Sequence, residues 1–263
     1  MADIPVPDLV AAARALMLAG RWPQATALLA AAVTGDDAER AMLAVTAAEV
    51  AVDQDFWSRT TNGATAIDRA RAAIDGAHSP ALAFDVSYLA LRHDYDEQLF
   101  GPGPGYGDMA AAPWRSAAAA EALAERAGVL RERAPDPARR ARAAFYAGLI
   151  DELLRGDPAA ARLAYAEALR LGEQAGDELI MSYACRHLGF HMVADGDEDQ
   201  GRELLRRSLE LRQRLGCVPL ALAQQLALAE VDGAAVVTGT VRDWAAAAFP
   251  ASWLVRAAAP AED

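Results

Sequence analysis

The segment Tyr183-Ala-Cys-Arg-His-Leu-Gly-Phe-His191 gathers the side chains best suited to chemistry. At 3.6 residues per turn Tyr183, His187, Phe190 and His191 share one helix face, with Arg186 at its border. Two imidazoles one turn apart can form an edge of a metal site or exchange protons near neutral pH. For a metal, two ligands are too few, and no HExxH or Cys-rich framework accompanies them. His93, Asp94 and Asp96 complete such a site only if their segment folds back. No metal and no cofactor is therefore expected, and a pair of hydrogen-bonded structural histidines is the plain alternative.

For acid/base work, Asp151 precedes His191 by 40 residues, the offset that also relates Gly156-Asp157 to Gly196-Asp197. This places Asp151 beside His191 on successive repeats, where a carboxylate orients an imidazole. If the chain is an enzyme, its catalytic groups are His187, His191 and Asp151, with no nucleophile identified; a structural hydrogen bond between repeats looks the same in sequence. Cys185 falls on the packing side of its helix and reads as core. A guanidinium can clasp a carboxylate or phosphate through two hydrogen bonds. The ligand-binding candidates are accordingly Tyr183, Arg186, His187, Phe190, His191, Tyr146, His93 and Tyr95.

These residues need helices to position them. Apolar spacing and turn residues predict a helical hairpin over 7–19 and 23–33, turning at Gly20-Arg21-Trp22. A second pair is expected over 37–52 and 67–74, with 53–65 as a turn or distorted helix start. Ser79-Pro80 opens a helix over 81–92, because proline suits the first helical position. A loop insertion follows over 93–112, since glycine alternating with proline precludes a helix from Gly101. It has no terminal Lys-Ser/Thr and is no phosphate loop; Phe100, Tyr106 and Trp114 give it apolar contacts as a lid over a groove or as a pinned loop. Pro113 restarts a helix to about residue 133. The clearest repeats cover 138–176 and 177–216, followed by helices over 219–231 and 241–248. Trp244, Phe249 and Trp253 are expected to cap the last repeat, ahead of a tail over 251–263.

In the repeats Gly189, Gly201 and Ser208 put small residues where antiparallel helices nearly touch, and Ala13, Ala25 and Ala32 keep the same spacing. Leu29 stands where Leu205 stands. This pattern resembles the tetratricopeptide repeat. The resemblance implies one all-α domain over 1–250, a right-handed α-solenoid of about five or six helical hairpins. In its register Tyr183, Arg186 and Phe190 match positions facing a concave groove, with His187 and His191 as less exposed neighbours. The function it implies is a non-catalytic adaptor holding a peptide or protein partner, or a small-molecule ligand. The alternative is an enzyme of specialised metabolism with a pocket on the same scaffold, using His acid/base chemistry.

Composition narrows the partners. The net charge of −12 opposes nucleic acid and anionic membranes, whose affinity depends on neutralised phosphates. All 25 basic residues are Arg, which excludes Schiff-base and lysine general-base chemistry. With Asn62 as the one asparagine, this is the composition of a high-GC, actinobacterial-type gene. The N-terminus lacks a basic region and an apolar run, so no signal peptide is expected. With two cysteines, Cys185 and Cys217, reduced thiols in a cytoplasmic protein are expected.

Overall fold

The computed structural model describes residues 4–101, 114–249, 252, 254 and 255. It is all-α, with no strand among the described residues. The chain forms two compact units, 1–135 and 136–263.

The first unit contains α1 (Val6–Leu18), α2 (Trp22–Ala30), α3 (Asp37–Ser58), α4 (Gly63–Ile74), α5 (Pro80–Phe100) and α6 (Ala117–Arg133). Three of these helices, α3, α5 and α6, start where an N-cap side chain accepts a free backbone N–H: Asp36 from Glu39, Ser79 from Leu82 and Ser116 from Ala119. Val45, Ala48, Val52, Ile67, Val86 and Leu89 from α3, α4 and α5 form its apolar core.

One expectation is corrected here. Residues 93–100 are not loop but the last two turns of α5, because nothing breaks the helix before Gly101 and Tyr95, Asp96 and Phe100 are buried on it. Gly101, at φ 92°, ends the helix. The remainder of the expected lid, 102–113 with Tyr106, lies outside the described residues. Trp114 and Arg115 return the chain to α5 by donating to the carbonyls of Gln98 and Leu99.

The second unit contains α7 (Pro137–Ile150), a π-helical turn (Asp151–Arg155), α8 (Pro158–Ala175), α9 (Glu178–Ala194), α10 (Glu198–Arg214), α11 (Val218–Asp232) and α12 (Ala235–Ala248). Consecutive helices pack on each other along this run, and α7 also touches α9. Gly156, Gly176, Gly196 and Gly216, twenty residues apart, all take left-handed φ between 67° and 89°. A side chain is strained there, so these four positions end their helices at little cost. Asp157 and Asp177 then cap α8 and α9 by accepting from Ala160 and Ile180.

The helix crossings carry the expected small residues. A Cβ on Gly189 would come within 2.9 Å of the Gly201 carbonyl and of Leu205, and one on Gly201 within 2.5 Å of Val193. In the preceding hairpin a Cβ on Gly148 would meet the Tyr165 ring at 2.5 Å. Tyr165 and Leu205 are 40 residues apart, so both hairpins close by the same device. Gly201→Leu is expected to lower stability by about 1 to 3 kcal/mol, the overpacking cost. Thermal melting of the variant beside an exposed Arg206→Ala control checks this; equal midpoints would contradict the packing.

Two features at the C-terminal end differ from expectation. α12 begins at Ala235, six residues before the expected 241, despite a β-branched stretch. Phe249 is buried, but Trp244 is 59% exposed. Trp253 lies outside the described residues.

Candidate functional site

The π turn gives the site its centre. Eight residues separate Gly148 from Gly156, against seven between Gly189 and Gly196. The extra residue is taken up by the widened turn Asp151–Arg155, which re-aims the side chains it carries. Asp151 consequently pairs with Arg155 at 2.7 Å, and it is Glu152 that meets the histidines. The expectation of Asp151 beside His191 is therefore corrected by one position.

Glu152 faces three groups. Its Oε2 accepts from the Tyr165 hydroxyl at 2.6 Å and contacts His187 Nδ1 at 2.9 Å, while Oε1 lies 3.1 Å from His191 Nε2. The last contact is close but off-line, so the buried His191 Nε2 makes no hydrogen bond. The Tyr165 ring packs against His187 at 4.7 Å and His191 at 6.1 Å between centroids. Tyr165 and Glu152 are the members missed by sequence reasoning; Tyr165 was legible as the counterpart of Leu205, Glu152 only through the π turn.

Charge follows from this geometry. Burial raises the Glu152 carboxyl, but hydrogen bonds from His187 and Tyr165 and the nearby imidazoles outweigh it and hold the group at about 2. Burial pushes His187 below the ordinary imidazole range, only partly offset by Glu152. These shifts imply different charge states for His187. Its burial makes the neutral form dominant at pH 7, with Nδ1–H donating to an ionised Glu152.

The remaining α9 candidates are held internally. Tyr183 stacks on Phe145 at 5.1 Å, and Phe145 also meets the buried Tyr146 edge-on. Arg186 lies 4.9 Å above Phe190, and its Nη1 donates to Gln224 Oε1 at 2.9 Å and to the Ala223 carbonyl at 3.2 Å on α11. The guanidinium thus clasps α11. Arg186→Ala should lower stability by about 1.5 to 3 kcal/mol, the range for hydrogen bonds to a charged group. Urea unfolding measures it; an unchanged midpoint would show that the clasp contributes nothing. Cys185 is fully buried, and burial pushes its thiol up to about 11, which suits core and not nucleophile. Neither Cys185 nor Cys217 forms a disulfide, and both are buried.

His93 and Tyr95 belong to the first unit, where α5 places them in another polar cluster. His93 Nδ1 lies 3.3 Å from the position a Cβ on Gly63 would take, and Tyr95 is buried. Nearby Asp53 accepts from Trp22 Nε1 at 2.7 Å and lies 3.7 Å from Arg92. Asp55 caps α4 by accepting from Gly63 N at 2.7 Å. Asp96 is buried, and its Oδ1 has no hydrogen-bond partner. Burial drives its carboxyl up to about 8 against the pull of Arg92 and Arg59. Asp94 instead pairs with Arg126 at 2.6 Å. Among the described residues no three His, Cys, Asp or Glu side chains gather as a metal site.

No protein-family model matches the chain, and no curated protein matches it.

Proposed function

We propose that the chain is a non-catalytic binding or adaptor protein, built as a tetratricopeptide-like right-handed α-solenoid and holding a peptide or small molecule on the face formed by α7, α9 and α11. The observation that carries this reading is that the histidines of α9 are engaged within the fold: both carboxylate oxygens of Glu152, on the π turn, face Tyr165 of α8 and His187 and His191 of α9. A cluster so engaged orders a scaffold. The Gly189–Gly201 crossing and its counterpart at Gly148 support the repeat architecture. Aromatic side chains on α9, Tyr183 and Phe190, remain half-buried and offer stacking surface at low entropic cost. A net charge of −12 favours a partner other than nucleic acid or an anionic membrane, and no described helix is long and apolar enough to cross a membrane. The reading takes the protein to be cytoplasmic.

Native mass spectrometry of untagged protein purified from its own host tests this. A stoichiometric non-covalent mass is expected, lost in Phe190→Ala without loss of helix content. A bare protein from the native host, together with no binding difference between wild type and variant against a peptide library, would reject it.

The second reading, a specialised-metabolism enzyme, rests on the 2.9 Å contact of Glu152 with His187, the geometry by which a carboxylate fixes an imidazole for proton transfer. It requires that the native-host mass be chemically altered on incubation, and that His187→Ala stop the change.

A further inference from the structure

Arg212, on α10 of the second unit, is a buried cation that the groove reading does not use. It is 1% exposed, among the largest fully buried side chains of the described residues. Burial removes a guanidinium from water at high cost, and proteins normally offset this with a carboxylate. Here the hydrogen bonds come from Nε to Ser182 Oγ at 3.4 Å and from Nη1 to the Leu220 carbonyl at 2.9 Å, both neutral acceptors. The Tyr183 ring lies 5.6 Å from its centre, and the charge it feels most strongly is the like charge of Arg186. Together with burial this pushes the guanidinium down to about 9. Neither bond uses Nη2.

The same residue lines a pocket of about 280 Å³ between α10, α11 and α12. Val218, Ala221, Leu222 and Trp244 give it apolar walls, and Gln213 and Gln225 add two amides. Trp244, 59% exposed, is a large aromatic that the fold leaves uncovered. A dry cavity of about 150 Å³ accommodates benzene, so this space suits a body of one or two rings or a short alkyl chain. Apolar walls with one cation and two neutral amides call for a largely apolar ligand carrying one negative charge.

We propose that this pocket binds a small apolar monocarboxylate, with its carboxylate on Arg212 and its apolar body against Leu222 and Trp244. The bound anion supplies the counter-charge that the fold withholds. This site is separate from the groove residues Phe190 and His187 and stands or falls without them.

Calorimetry and ligand-observed NMR with phenylacetate, indole-3-acetate and hexanoate, each beside its neutral amide, test the assignment on the unmodified chain. The acids are expected to bind at least about tenfold more tightly than the amides, the strength of a charge-assisted hydrogen bond. Arg212→Met should abolish that preference. Should Arg212→Met fail to fold, Trp244→Ala alters only an exposed side chain and should weaken the two aryl acids more than hexanoate. Equal binding of acid and amide, no binding of any acid at millimolar concentration, or an unchanged aryl preference in Trp244→Ala overturns the proposal.

Discussion

Asp96→Asn is expected to stabilise the protein at pH 8 by on the order of 3 kcal/mol and to change little at pH 4. Asp96 is 3% exposed with one oxygen unpartnered, and its carboxyl ionises at about 8 in the folded chain against 3.8 when unfolded. Below pH 3.8 both states hold the proton. As pH climbs from 3.8 to 8 the unfolded chain releases a proton that the folded chain retains, so stability falls throughout that window. Asparagine keeps the shape and removes the proton equilibrium. Asp53, raised to about 6 chiefly by burial, keeps a smaller slope of the same sign in the variant. Urea unfolding at pH 4.5 and pH 8 gives the comparison. A gain of equal size at both values would mean that packing at position 96, and not ionisation, sets the cost.

The opposite sign holds for Glu152. Its folded carboxyl ionises at about 2 against 4.5 unfolded, so its contribution is fully present above pH 4.5 and disappears as pH falls towards 2. Glu152→Gln should lower stability at pH 7 by about 1.5 to 3 kcal/mol, the range for hydrogen bonds to a charged group. Part of that loss arises because an amide cannot present two acceptor oxygens to Tyr165, His187 and His191. Wild type and variant should converge near pH 2. Stability curves that stay parallel from pH 7 to pH 3 would show that the carboxylate is not held ionised. Tyr165→Phe, alone and combined with Glu152→Gln, apportions the loss through a double-mutant cycle.

How much of this was legible beforehand depends on what each residue signals locally. Pro80, Pro137 and Pro158 mark helix starts and Gly196 and Gly216 helix ends in any context, and the helices begin or end beside them. His187 and His191 announce a shared face by spacing alone. Their partner was misplaced by one residue because the stretch Ile150-Asp-Glu-Leu-Leu-Arg155 contains neither glycine nor proline to reveal its wider turn. The sequence ends helix α5 too early for a related reason. His93, Asp94 and Asp96 look like a solvated loop, yet Tyr95 and Phe100 bury one face and tertiary packing overrides the polar appearance. Arg212 sits in a run of arginines and glutamates that reads as a wet surface, and no local pattern distinguishes the one that turns inward.

The π turn has a consequence for anyone who would rebuild this array. Repeat proteins are commonly idealised by averaging their units, on the premise that each unit carries the same information. Here the hairpins starting at α7 and α9 share their closing glycines but differ by one inserted residue, and the carboxylate that meets both histidines exists only in the unit with the insertion. A consensus built from the two would keep the scaffold and erase its polar centre. The information that individualises this chain resides in the departure from its own periodicity.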